Sequence, residues 1–225
     1  MAQRPVFIPT TTGETLVVEK SITFTWHPGF ALSQAQKSIR ALHASAAKAL
    51  DVPILEISTR SPDPLGVALS AFNLALRDDH GRLLTVESAF QGSKVFEGNK
   101  QYTDLYEKDA NEAKTDERLK QSGSLIKFRF EDQDWSLDPQ TAFYDWLYLR
   151  ALTQNDAVAR QLLDYAAFTD IMFNPKKSIN CQARAAALYV SLSHRNLLQE
   201  ALSDRQNYLD LLTAPERPVQ PRLLD

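Results

Sequence analysis

Apolar and polar positions along this chain change period several times, and each change marks a predicted element. Residues 15–19 (TLVVE) and 21–26 (SITFTW) are rich in β-branched and aromatic side chains, and the second alternates. The first thirty residues therefore read as strands, turned at His27–Phe30. From Ser33, a candidate N-cap, Ile39, Leu42, Ala46 and Leu50 recur at spacings of three and four and predict a helix to about Leu50. Residues 52–58 (VPILEIS) read as a short apolar strand, and 61–66 (SPDPLG) as a turn. In 83–96 (LLTVESAFQGSKVF) the spacing predicts a helix with Val86, Ala89, Phe90 and Ser93 on one arc and Glu87, Gln91 and Lys94 on another.

The charged stretch 107–121 reads either as one solvated helix or as helix pieces with a loop. A strand (SLIKFRF) and an extended segment (DQDWSL) follow. Asp138 with Pro139 behind it has the form of a helix start, and the helix runs to about Thr153. Another starts at Asn155 or Asp156, an apolar one begins at Ser178, and one or two more lie between Asn196 and Leu212. Helix outweighs strand without βαβ alternation, so the predicted class is α+β, predominantly α-helical, with a small N-terminal β element. The expected organisation is a strand–helix–strand extension packed on the core (1–60), a catalytic core (61–212) and a proline-rich tail (213–225).

Composition narrows the function classes. At 225 residues the chain is long enough for a sizeable core, and its net charge of −3 argues against nucleic-acid binding through bulk positive charge. A local basic groove stays open. Cys181 is the one cysteine, so no internal disulfide forms. The first residues lack a signal-like apolar run and no window has membrane-span length, which makes a cytoplasmic location the default. The four histidines, His27, His43, His80 and His194, have no partners at metal-ligand spacing, so no metal site and no cofactor is expected.

Three constellations carry chemistry. On a helix, Glu87, Gln91 and Lys94 fall within about 60° of one another, placing an acid, an amide and an amine on one line. Such a set shifts its own pKa values and positions water or sugar; the plain alternative is a solvated face with an ordinary ion pair. In 173–190, Asn180 and Arg184 lie on an apolar stretch, where an arginine needs a carboxylate or a phosphate. A helix start at Ser178 beside Lys176 and Lys177 would seat a diphosphate, while a structural pair, with Asp145 as partner, is the simpler reading. In 142–148 (AFYDWLY) four aromatics surround Asp145; Trp146 among them either stacks on a base or belongs to the core. Asp170 either binds a ribose hydroxyl or caps a turn.

In this order the segments resemble the NADAR family, the YbiA-like N-glycosidase superfamily of ADP-ribose metabolism. The resemblance spans about residues 65 to 195. It rests on Ser70-Ala71-Phe72, on Glu87 through Gln91 and Lys94 to Phe96, and on Ala113-Lys114, Asp134-Trp135, Gln154-Asn155, Leu162-Leu163 and Asn180 to Leu188. The sequences FTWHPGFALSQAQKSIRALH, VESAFQGSKVF, TAFYDWLY and FNPKKSINCQARAAAL are similar to the NADAR antitoxins associated with DarT toxins. Two departures stand out: Ala71 occupies a position where much of the superfamily has Asn, and Phe173-Asn174-Pro175 replaces a Trp-Gly dipeptide.

The resemblance implies an ADP-ribosyl-DNA N-glycosidase that removes ADP-ribose from guanine and opposes a DarT-type toxin, its substrate and its possible partner. It implies Lys94 as a Schiff-base amine or electrostatic group and Glu87 as proton shuttle. Arg184 and the Lys176–Ser178 segment would take the diphosphate, Asn180 or Asp170 a ribose hydroxyl, and Gln91, Ser70, Phe72 and Trp146 the rest of the substrate. Two other classes compete: a module that binds ADP-ribose or the toxin without hydrolysis, and an N-glycosidase of a small phosphorylated riboside.

Overall fold

A computed structural model describes residues 1–213. In chain order its elements are β1 (Ala2–Pro9), β2 (Val17–Phe24), α1 (Leu32–Leu50), β3 (Ile54–Glu56), α2 (Pro64–Ala68), β4 (Ala75–Arg77), β5 (Leu83–Thr85), α3 (Val86–Gly92) and β6 (Lys94–Phe96). There follow β7 (Lys100–Gln101), α4 (Ala110–Thr115), α5 (Arg118–Gln121), β8 (Leu125–Phe130) and β9 (Gln133–Trp135). The last part holds α6 (Ala142–Thr153), α7 (Asp156–Leu162), β10 (Ala167–Thr169), α8 (Gln182–His194), α9 (Leu198–Ser203) and α10 (Arg205–Thr213). Helix outweighs strand and the strands lie in small sheets, so the chain is α+β.

The first sheet has the order β2-β1-β10-β3, antiparallel except for the parallel β10–β3 pair. Strands 160 residues apart in the chain thus become neighbours. β1 is not conspicuous in the sequence because Pro5 and Pro9 interrupt it. It tolerates them because its register with β10 is confined to Phe7 and Phe168, leaving the proline positions without ladder duty on that side. A small core of Val6, Ile22, Phe24, Ile39, Leu42 and Ala46 seals α1 onto this sheet.

The second core is larger and aromatic. Phe90, Phe128 and Phe143 stack against one another, with Phe128 and Phe143 centroids 4.8 Å apart, and Trp135 and Trp146 close its far side. The sheet β7-β6-β8-β9 and the helices α6 and α8 wrap it.

Five boundaries depart from the expected ones. α1 starts at Leu32 with Ala31 before it and no side-chain cap, so Ser33 lies inside the helix and is not its N-cap. Residues 61–66 start a helix: Pro64 opens α2 and the Asp63 carboxylate accepts from the Leu65 N–H at 2.9 Å. The helix expected over 83–96 forms only in its middle half; β5 leads in, Ser93 ends α3, and Lys94 begins β6. Pro139 precedes α6 by three residues, and α8 starts at Gln182, not at Ser178. The charged stretch resolves into pieces, α4 and α5. Residues 214–225, most of the expected tail, lie outside the described residues.

Candidate active site

The Thr85 hydroxyl caps α3 by accepting from the Ser88 N–H at 3.0 Å, which starts the helix one residue before Glu87. Every residue of α3 is buried, so Glu87 and Gln91 do not form a solvated face. Gln91 Nε2 donates to Glu87 Oε1 at 2.8 Å, the i,i+4 geometry the sequence predicted. The other carboxylate oxygen lies 3.6 Å from Lys114 Nζ. Gln91 Oε1 is buried without a hydrogen-bond partner among the described residues.

Lys94 reaches this group from a strand. Its Nζ stands 5.0 Å from the centre of the Phe90 ring. Burial holds its pKa below the usual lysine value; Glu87 opposes that shift and the second ammonium, Lys114, adds to it. Lys114 Nζ in turn lies 4.7 Å from the centre of the Phe72 ring. Residue 92 is glycine because the Tyr106 ring packs directly against the helix there. A Cβ there would stand 2.5 Å from the Tyr106 ring.

Ser70-Ala71-Phe72 ties the site to its surroundings. The Ala71 carbonyl accepts from the Glu87 N–H at 2.9 Å, and the Ala71 N–H donates to Gln182 Oε1 at 2.7 Å. Gln182 Nε2 donates onward to the Ile57 carbonyl at 2.7 Å and to Asp170 Oδ2 at 3.1 Å. One glutamine in the first turn of α8 therefore joins Asp170, β3 and the start of α3. Ser70 Oγ is buried without a partner among the described residues. Tyr144 on α6 packs edge-on to Phe90, centroids 5.2 Å apart, and burial, with Glu87 next, raises its pKa well above the usual tyrosine value.

Asp170 does cap a turn, accepting from the Met172 and Phe173 N–H groups at 2.9 and 3.2 Å. Burial pushes its carboxyl up to about 7, with Glu56 acting in the same direction and its N–H donors pulling back. Glu56 is fully buried and its pKa is raised by burial; it accepts from Ser58 Oγ, Thr169 Oγ1 and the Ile171 N–H at 2.8, 2.6 and 2.8 Å. Because the Thr169 hydroxyl donates to Glu56, the His43 ring nitrogen 2.8 Å away must be the donor to Thr169. Burial keeps that imidazole neutral by lowering its pKa to about 4.

The Asp170 carboxyl makes a pH prediction. Folding raises its pKa from about 3.9 in an open chain to about 7. The stability this proton contributes is full below the unfolded value and is lost as pH rises through about 7. Asp170→Asn removes that titration and leaves that of His43 in both proteins. Denaturant midpoints at pH 5 and pH 8 should therefore show the wild type losing more stability than the variant. Parallel behaviour would overturn the assignment.

The remaining expected residues do not all meet here. Asn180 precedes α8 and its Oδ1 is buried without a partner among the described residues. Lys176, Lys177 and Ser178 sit on an exposed loop four or more residues before the helix, so the expected diphosphate seat at a helix start is not built there. Arg184 is about 200° round α8 from Gln182 and donates to Asp145 and, at 3.0 Å, to Thr141 Oγ1. It is the structural pair, not part of the Glu87 group. Trp146, likewise about 200° round α6 from Tyr144, packs on Trp135 with centroids 4.9 Å apart and borders a hollow of about 400 Å³ with Arg150 and Arg205. That hollow is away from Glu87 and Lys94.

Sequence reasoning did not place Gln182, Glu56 or Tyr144 in the site; Lys114 was visible only inside the Ala113-Lys114 element. Among the described residues no cluster of His, Cys, Asp and Glu is arranged to hold a metal, and no helix is long and apolar enough to cross a membrane. A search of curated proteins finds no match. A family model described as DarT1-associated NADAR antitoxin matches residues 2–220. That match spans both sides of the Glu87–Lys94 group and the N-terminal strands that support it, and the chain belongs to the family of DarT1-associated NADAR antitoxins.

Proposed function

We propose that the protein is an N-glycosidase that removes ADP-ribose from guanine bases in DNA and so reverses the modification made by a DarT-type ADP-ribosyltransferase. The observation that carries this reading is a half-buried amine of lowered pKa, Lys94, set beside the Phe90 ring and within the field of a buried carboxylate, Glu87.

The bond to be cut joins the anomeric carbon of the distal ribose to a guanine nitrogen. The Lys94 ammonium gives a proton to the ring oxygen, which opens the sugar and is returned when it recloses, and the neutral Nζ adds to the anomeric carbon. Glu87 carries the proton lost by that nitrogen to the departing guanine nitrogen. The carbon–guanine bond breaks and a lysine Schiff base is left. Water then adds to the same carbon, the amine leaves, and the sugar recloses as free ADP-ribose. No oxidant or reductant is needed. Lys114 holds the Glu87 carboxylate in place, its ammonium 3.6 Å from one carboxylate oxygen. Gln91 Oε1 and Asn180 Oδ1, without partners among the described residues, accept from substrate hydroxyls, and Ser70 Oγ and Asp170 also meet hydroxyls; Phe72 lines the entrance beside Lys114.

The test is to incubate the purified protein with an ADP-ribosylated oligonucleotide and follow products by chromatography and mass. Free ADP-ribose and an unmodified strand appearing together are expected. Tight binding with the strand left intact would instead make the protein a non-hydrolytic ADP-ribose reader.

A further inference from the structure

Charge is unevenly spread along this mildly acidic chain. Residues 20–50 and 171–199 contain no Asp or Glu and hold +4 each, so the other residues hold −11 against a total of −3. The first sheet brings parts of both stretches together. β2 ends, β1 begins, and β10 and β3 end on one edge, as the pairs Ala2–Phe24, Phe7–Phe168 and Thr169–Glu56 require. The turn 25–31 and the loop 170–181 therefore emerge side by side. Arg4 joins them: its guanidinium lies 5.4 Å from the Trp26 ring centre and its Nε donates to the Ile171 carbonyl at 3.3 Å. The second loop begins at Asp170, which Gln182 ties to the Glu87 helix.

This edge carries exposed apolar side chains in a basic setting. Phe30 is fully exposed, and Trp26, Leu32, Met172 and Ile179 are also open to solvent. Lys37, Lys176 and Lys177 are exposed and make no ion pair among the described residues. Aromatic and apolar side chains standing among unpaired cations suit a nucleic-acid strand: bases stack on the former while phosphates meet the latter.

We propose that this edge is where the DNA strand bearing the modified guanine lies, locally unpaired. Phe30 and Met172 contact neighbouring bases, and Lys37, Lys176 and Lys177 contact phosphates. The proposal rests on DNA being the substrate, and it reassigns the two loop lysines from the diphosphate of ADP-ribose to the strand itself. A base held outside the duplex lies within reach of a buried site, and flanking contacts hold it there.

The probe is a fluorescein-labelled unmodified single strand, with binding followed by anisotropy. Phe30→Ala combined with Lys37→Glu should weaken binding about tenfold, while Lys120→Glu on α5, an exposed unpaired lysine elsewhere, changes it little. Lys176→Ala with Lys177→Ala should lower the salt slope by about 1.4. With ADP-ribosylated oligonucleotide, the Phe30/Lys37 variant should raise KM and leave turnover of ADP-ribosylated deoxyguanosine unchanged. Equal effects of the Lys120 and edge variants, or none from either, would overturn the proposal. Unchanged strand binding together with lost toxin binding would also overturn it, in favour of a protein partner. If no substrate is hydrolysed but strand binding still depends on this edge, the glycosidase reading fails and the surface stands.

Discussion

Lys94→Ala should abolish release of ADP-ribose from modified DNA, by roughly 10³-fold or more, while the protein stays folded. The size follows from the role: a side chain that forms the covalent intermediate leaves no parallel route when it is removed. Lys94→Arg sharpens the test, because it keeps a cation near Phe90 and Glu87 but cannot form a Schiff base. An arginine variant with wild-type turnover would show that the charge, not the amine, matters. Treating the wild type with borohydride during turnover should reduce the imine to a stable amine and add the sugar mass to the peptide containing Lys94. Absence of that adduct under turnover, with activity intact, would sink the covalent step. The lowered amine pKa also implies that activity persists well below the pH at which a free lysine loses its proton.

Lys94 shows how the sequence can indicate the right residue through the wrong geometry. Spacing put it seven residues after Glu87 on one helix; the chain instead caps at Ser93 and returns as β6, yet the amine still feels Glu87. Local pattern was enough for the existence of α1, α6, α7 and β8, whose apolar positions lie within one segment, but not for the caps: neither Ser33 nor Asp138 caps its helix. It was enough for the Glu87–Gln91 contact, which needs only one turn of helix. It was not enough where distant segments converge. Residues 56, 71, 170 and 182 meet because β10 inserts between β1 and β3, and nothing local to Gln182 announces its three hydrogen bonds. Trp146 failed for the opposite reason: aromatic content is visible in 142–148, but residues two apart on a helix face different layers, so Tyr144 meets Phe90 while Trp146 packs on Trp135.

Arg184→Ala is expected to destabilise the fold by about 3–5 kcal/mol, because it strips the partner from a carboxylate with no solvent exposure. Asp145 has its second oxygen unpartnered already, and burial raises its pKa even with Arg184 beside it. Without the guanidinium the carboxyl must take a proton to remain inside, so its folded pKa rises further. The stability it then retains is present below the unfolded pKa and is lost as pH rises through the folded one. The gap between wild type and Arg184→Ala should therefore widen from pH 5 to pH 8 in denaturant titrations. A constant gap would mean that lost packing, not the orphaned charge, is responsible. Replacing the pair together, Asp145→Leu with Arg184→Met, should recover much of the loss, since apolar side chains of similar volume need no compensating charge. That double variant also decides the functional question. If Arg184 serves only the scaffold, the refolded protein hydrolyses ADP-ribosylated DNA with an unchanged KM. A KM raised tenfold or more in a variant of restored stability would return Arg184 to the diphosphate.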